Sequence, residues 1–197
     1  MHKIILILAL LGISGCALGL GGGLGVSVDT RGSFTVLLSL HANNLGLRVE
    51  PDKTPRTEQA TYLNPMELAG GVRFGGDRPT AGIMRLEIAG VAFSQDELDD
   101  GWGGNLGLAF RTDFAWPLDG SKSSYGVGGV LKGAVLHHLD VTKLKRLESR
   151  PEWPDGWKLH RIGPGASVAV MHDDEGWYGQ LTLMMLYEYL TYFTVGL

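Results

Sequence analysis

The feature that most constrains the fold is a strict two-residue alternation between residues 106 and 116. Large apolar residues and one threonine occupy one set of positions: Leu106, Leu108, Phe110, Thr112, Phe114 and Trp116. Small and charged residues occupy the other: Gly107, Ala109, Arg111, Asp113 and Ala115. Side chains of a β-strand point alternately to its two faces, whereas a helical period would scatter these aromatic residues around the surface. The segment is therefore predicted to be a strand with one apolar face.

The same alternation recurs along the chain, between turns rich in Gly, Asn and Pro. Further strands are predicted over residues 26–29, 33–41, 68–74, 83–93, 125–135, 163–171 and 177–192. Ala42-Asn43-Asn44 is either a tight turn or a bulge within one long strand that runs to Glu50. The prediction is an all-β chain of eight strands, or of nine if these residues form a turn.

Three longer connections separate the predicted strands. Residues 51–65 are polar and contain three prolines, residues 94–103 are acidic, and residues 140–163 contain the one predicted helix, at 141–149. That helix has a Leu stripe surrounded by basic residues: Lys143, Lys145, Arg146 and Arg150. It is expected either to cover one end of the fold or to lie on anionic lipid head groups.

Strands joined as sequence neighbours form a meander, which leaves two exposed edges unless the sheet closes. Closure at eight strands gives a small barrel, so residues 26–197 are predicted to be one antiparallel barrel domain. Many of the strands are long enough to cross a membrane when tilted. The open question is which face points inward.

The less apolar face combines Gly and Ala with isolated charged residues. Six of them are candidate lumen charges: Arg73, Arg85, Glu87, Arg111, Asp113 and Lys132. In a membrane barrel such residues pair across a narrow interior while the apolar face meets lipid. A soluble barrel would reverse the two faces. Aromatic residues near predicted strand ends favour the membrane arrangement, as an interfacial girdle would: Phe114, Trp116, Tyr125, Trp177, Tyr178, Tyr187, Tyr189 and Tyr192.

The connections argue in the other direction. With eight strands, the three longer connections fall at the same end as the N-terminus, whereas outer-membrane barrels usually have short turns on that periplasmic side. A ninth strand would move most of them, but an odd strand number is itself unusual in such barrels.

The N-terminus is predicted to be an export signal. Lys3 precedes an unbroken apolar run over residues 4–11, which is too short to span about 30 Å of hydrocarbon as a helix. Small residues follow, up to Cys16, the one cysteine of the chain, so a disulfide within the chain is excluded.

Ile13-Ser14-Gly15-Cys16 resembles the lipobox of bacterial lipoproteins, with isoleucine where leucine is commoner. The resemblance implies a signal peptide over residues 1–15, acylation of Cys16 by palmitate-type chains, and membrane lipid as a partner. Residues 16–25, almost only Gly and Leu after the first two, are then expected to be a mobile tether. The residue after the cysteine is Ala17 rather than Asp, which in this family favours the outer membrane as the location.

Little in the sequence indicates catalysis, a metal or a cofactor. No nucleophile elbow, zinc-protease or P-loop motif is present, and a net charge of −4 argues against nucleic acid as a partner. His137 and His138 occupy opposite faces of a strand, so at most one can join Asp140 in a site. Residues 172–175, His-Asp-Asp-Glu, could bind a hard cation but are explained equally by a solvated turn.

Three functions from different classes follow, in order of preference. The first is an outer-membrane lipoprotein with a structural or interaction role, whose barrel sits in or against the membrane and whose protein partner is unknown. The second is a lipid-anchored soluble barrel that binds an apolar ligand. The third is a barrel enzyme that acts on envelope lipid. The expectation is that the protein is not an enzyme.

Overall fold

A computed structural model describes residues 15–48, 57–97, 101–139 and 157–194, and the side chains of 19–42, 66–88, 101–139 and 160–189 within them. Every regular element in these ranges is a strand: β1 Gly15–Asp29, β2 Phe34–Arg48, β3 Thr57–Phe74, β4 Ala81–Glu97, β5 Trp102–Pro117, β6 Ser124–His138, β7 Trp157–Asp173 and β8 Gly176–Thr194. The helix predicted at 141–149 lies outside the described residues. Within the described ranges there is no helix long and apolar enough to cross a membrane.

The eight strands form a closed barrel in sequence order, each antiparallel to its neighbours. Closure comes from β1 and β8, which pair from Gly15↔Thr194 to Asp29↔Gln180. Every strand therefore has a partner on both sides, and the predicted eight-stranded meander barrel is confirmed.

The alternative of nine strands is wrong. β2 continues through Asn43 and Asn44 to Arg48, and the irregularity shows instead as register shifts against β3, between Ala42 and Gly46. The Asn pair is thus accommodated by a bulge, which adds residues to one strand without ending its ladder.

Several strands are longer than the apolar alternation predicts. β3 begins at Thr57, inside the segment expected to be a loop over 51–65, and β4 and β5 extend into the acidic segment 94–103. Ladder hydrogen bonds involve the backbone, so a polar segment extends as strand when both neighbours are present. Side-chain pattern alone cannot show this.

The tether expected over residues 16–25 is also wrong as local structure, since these residues form most of β1. Alternate glycines of β1 face the interior, where neighbouring side chains lie directly against the backbone. A Cβ on Gly21 would lie 2.2 Å from His41 Nε2, and one on Gly23 would lie 2.7 Å from Leu186 Cδ2. These glycines therefore leave space for side chains inside a narrow barrel, and they do not form a flexible tether outside it.

The two ends of the barrel differ. Four tight turns join β1 to β2, β3 to β4, β5 to β6 and β7 to β8 at one end, called here the turn end. Glycines with positive φ occur in all four, for example Gly32 at 78° and Gly120 at 80°. In the β5–β6 turn, hydrogen bonds from the Ser121 side chain and backbone N–H lower the pKa of the Asp119 carboxyl. The other three connections share the opposite end with the start of β1 and the end of β8.

Candidate functional site

The apolar face of each described strand points outward. In β5, Leu106, Leu108 and Phe110 are 55, 64 and 46% exposed, whereas Arg111 between them and Phe114 is 1% exposed. The same arrangement holds around the wall, where further exposed apolar residues are Leu24, Leu38, Leu68, Met84, Leu131, Val168 and Leu183. So many exposed apolar side chains form a continuous belt, which is far larger than the patches that soluble monomers expose.

Aromatic side chains border this belt at both ends. At the turn end they include Phe34, Phe74, Trp116, Tyr125 and Trp177, with Phe114 packed between Trp116 and Tyr125. At the opposite end Trp102 packs edge-on against His137, and His160 contacts Tyr187 and Tyr189.

The distance between the aromatic residues at the two ends of the belt can be estimated from strand geometry. We take a rise of about 3.3 Å per residue and a strand tilt of about 40°. The distance along the barrel axis is then roughly 25 Å from Trp177 to Tyr187 on β8 and roughly 35 Å from Trp102 to Trp116 on β5. A membrane barrel has an apolar band about 25 Å tall. Two aromatic residues expected in the girdle differ: Tyr178 faces the interior at 7% exposure, and the side chain of Tyr192 lies outside those described.

The structure places all six candidate lumen charges inside the barrel. Arg85, Glu87 and Arg111 are at most 3% exposed, Arg73 and Asp113 are 8% exposed, and Lys132 is partly buried. Five of the six belong to ion pairs between β4, β5, β6 and β3. Arg85 pairs with Asp113 at 3.1 Å, and Arg111 donates through Nε to Glu87 at 2.8 Å. Lys132 lies 2.9 Å from both Glu87 and Glu67.

Gln180 connects this network to the opposite wall. Its side-chain oxygen, on β8, accepts hydrogen bonds from Arg85 Nη2 at 2.6 Å and from Arg111 Nη1 at 2.9 Å. In an eight-stranded barrel β8 lies diametrically across from β4. The two guanidinium groups and the amide therefore form a layer that crosses the lumen.

A second ion pair lies nearer the opposite end, between Arg161 on β7 and Glu188 on β8. His41 Nε2 lies 3.3 Å from the same Glu188 carboxylate. These three residues, together with Gln180 and Glu67, are not among the six candidate lumen charges. Their alternation with neighbouring residues was enough to place them on the inner face, but it carries no information on which strand lies across the lumen.

The turn end is closed by another charged cluster, called here the cap. Arg31 and Arg78, from two different turns, both contact Asp173 and Glu175 on the β7–β8 hairpin, at 2.6–3.0 Å. Both guanidinium groups also stack over the ring of Tyr178, at 4.6 and 5.2 Å from its centroid. Alternation with the outward Trp177 places Tyr178 on the inner face, where its ring meets these two cationic groups.

The cap also accounts for residues 172–175, considered above as a cation site. The carboxylates of Asp173 and Glu175 form ion pairs with guanidinium groups, and His172 packs edge-on against Trp177. No group of three or more potential metal ligands occurs in the described part of the chain. His137 and His138 do lie on opposite faces, with His138 fully buried, and Asp140 is outside the described residues.

The described part of the lumen contains a larger and a smaller cavity. The larger lies toward the opposite end, is lined by charged residues together with Met66, Met184 and Leu186, and has about 70 Å³ open to the centre of a water molecule. The smaller lies at the turn end and has about 20 Å³. One water needs roughly 10–15 Å³ on this measure. The larger cavity therefore has room for several waters, and the smaller cavity has room for one or two. Arg85 borders both cavities, so the layer formed with Gln180 separates them.

The described residues define a class of protein, namely a small closed β-barrel with an apolar exterior and an ionic interior. No protein-family model and no curated protein matches the chain. Among solved structures it is similar to the outer membrane protein OprG from Pseudomonas aeruginosa, at 10% identity and a TM-score of 0.37, over 94% of this chain and 99% of that one.

Proposed function

We propose that this chain is an integral β-barrel protein of the outer membrane, with a structural or interaction role. The single observation that carries the proposal is the outward apolar belt around an ionic interior, with aromatic side chains bordering the belt at both ends. In lipid, an apolar exterior needs no further covering, and a closed ladder pairs the backbone groups of neighbouring strands. In water the same belt would promote aggregation.

The interior argues against the alternative of a soluble carrier for an apolar ligand. Such a carrier needs a large apolar pocket, whereas the larger cavity is bordered by Glu67, Glu87, Lys132, Arg161 and Glu188. An apolar ligand there would separate ion pairs without replacing their interactions, which is costly in a buried site.

The interior also argues for a structural or interaction role rather than for transport. The Arg85–Gln180–Arg111 layer crosses the lumen, and the cap closes the turn end. These two groups of described residues lie in series along the lumen and would obstruct the passage of a solute. Catalysis on envelope lipid stays the least favoured alternative, because the lumen carboxylates of Glu87 and Asp113 are paired with basic groups.

The proposal includes a lipid anchor at Cys16. The lipobox resemblance supports it, and β1 begins at Gly15, with Cys16 paired to Phe193 of β8. Cleavage before Cys16 would thus leave the acylated residue at the start of the barrel wall, next to the membrane the barrel occupies. Anchor and barrel would then act on the same bilayer.

Membrane integration is tested with a Cys16→Ala protein exported behind a conventional leader that is cleaved without lipid attachment. An integral barrel stays in the membrane fraction after carbonate extraction, and it migrates differently on gels before and after heating. Release of the unlipidated protein into the soluble fraction, with no heat-dependent migration, would contradict the proposal.

The anchor needs a separate experiment, because a barrel can be integral without it. With the native leader, we expect labelled palmitate to be incorporated into the wild type and not into Cys16→Ala, which should also escape cleavage by the lipoprotein signal peptidase. Equal labelling and equal mass of the two proteins would rule out lipidation at Cys16.

A further inference from the structure

One buried cation, Arg73, forms no ion pair within the described part of the barrel. Five basic residues project from the described strands into the lumen, and Arg85, Arg111, Lys132 and Arg161 each form an ion pair. Arg73 on β3 is 8% exposed, and its Nε has no hydrogen-bond partner among the described residues. A buried charge without compensation is strongly unfavourable, so something else must balance this guanidinium group.

The surroundings of Arg73 are rich in hydrogen-bond donors. In the ladder, Thr35 on β2 is paired directly with Arg73, and Ser27 on β1 is paired with Thr35. All three side chains face inward and are buried. The hydroxyls of Ser27 and of nearby Ser33 have no partner in the described structure.

The carboxylates on the same cavity are engaged elsewhere. Asp113 pairs with Arg85, and Asp173 pairs with Arg31 and Arg78. Asp29 accepts the backbone N–H groups of Arg31 and Ser33, each at 2.9 Å, and forms no ion pair with Arg73. Arg73 and Asp29 both border the small cavity.

We propose that the small cavity at the turn end is a binding site for a monatomic anion of the halide class, held by Arg73 and by the hydroxyl of Thr35. Its volume of about 20 Å³, room for one or two waters, matches a monatomic anion such as chloride or bromide more closely than phosphate, sulfate or a carboxylate ligand. The anion supplies the negative charge that Arg73 lacks. The competing arrangement is a water that bridges Arg73 and Asp29.

The test is thermal unfolding of the purified protein in mild detergent, in sodium chloride, bromide or gluconate at equal ionic strength. Gluconate is too large for the cavity and serves as the reference. A ligand that binds only the folded state raises the midpoint in proportion to the logarithm of its concentration above Kd. We expect chloride and bromide to raise the wild-type midpoint in this way, and Arg73→Gln to remove the dependence. Lys122→Gln, at an exposed turn position, should retain it.

Asp29→Asn distinguishes the anion from the bridging water. Removal of a nearby negative charge should strengthen anion binding, and the concentration for half-maximal effect should fall roughly tenfold. If Arg73→Gln does not fold, the wild type and Asp29→Asn decide the matter between them. A wild-type midpoint equal in all three salts overturns the proposal, as does a halide effect that survives Arg73→Gln or disappears in Asp29→Asn. The site lies inside the barrel, so this result does not depend on whether lipid surrounds the exterior.

Discussion

At the scale of single residues, the charges of the lumen contact both the neighbouring strand and strands across the closed barrel. Arg111 is the clearest example: it contacts Glu87 on β4, Gln180 on β8 and, at 3.4 Å, Ser167 on β7. One side chain thus joins three strands beyond its own. Its loss would leave Glu87 with Lys132 alone and Gln180 with Arg85 alone.

We therefore expect Arg111→Leu to lower the free energy of unfolding by roughly 3–5 kcal/mol, the usual cost of removing one partner of a buried ion pair. Lys122→Leu, at a side chain that is 91% exposed, should change it by no more than about 0.5 kcal/mol. Denaturant unfolding in lipid vesicles measures both. An Arg111→Leu protein as stable as the wild type would show that the lumen network does not stabilise the barrel.

At the scale of the strand, glycine has two distinct roles that adjacent residues of β6 separate. A Cβ on Gly128, which faces inward, would lie 2.0 Å from the carbonyl oxygen of Val170 on β7. A Cβ on Gly129, which faces outward, would meet nothing within 4 Å. The inner glycine is required by close backbone approach, whereas the outer one is not.

The prediction is that Gly128→Ala lowers stability by about 1–3 kcal/mol or more, because the backbone of β6 or β7 must move. Gly129→Ala should be neutral or slightly stabilising, since alanine restricts the unfolded chain. Folding yield and the denaturation midpoint of the two variants, compared side by side, test this. Equal effects would mean that β6 is not in the register described. Gly71 and Gly70 of β3 offer the same comparison, with a Cβ on Gly71 only 2.0 Å from the Val36 carbonyl oxygen.

At the scale of the whole molecule, the barrel has its polar groups inside and its apolar groups outside. In the proposed membrane orientation, lipid surrounds the wall and its apolar groups. Two well-exposed apolar residues allow a comparison. Phe110 lies at the middle of the belt, and Leu118 lies in the β5–β6 turn, beyond the aromatic residues of the turn end. They differ in which solvent the proposal assigns to them.

Phe110→Arg should therefore cost roughly 2–4 kcal/mol in lipid vesicles, and Leu118→Arg about 0–1 kcal/mol, following the depth dependence of charged residues on membrane barrels. In a water-soluble barrel both positions would face water, and both changes should lie within about 0.5 kcal/mol of the wild type. Equal, small effects at the two positions would contradict the membrane orientation.

The sequence by itself determined the strand class, the closed meander and the two faces of the wall. These properties depend on local alternation, which an extended backbone imposes whatever the neighbours are. Residues such as Arg85, Glu87 and Arg111 could be assigned to one face for that reason. Gly21 and Gly23 could not be understood in the same way, because a glycine that leaves space for His41 or Leu186 looks like a glycine in a flexible tether.

Only the tertiary structure decided what each inner residue contacts. Gln180 reaches two arginines across the lumen, Tyr178 lies beneath Arg31 and Arg78, and Arg73 borders a small cavity without forming an ion pair among the described residues. These contacts join residues far apart in the chain, and they depend on the register of eight strands and on where the barrel closes. Alternation fixes the side of the wall on which a residue lies, whereas closure fixes which residues face one another across the interior.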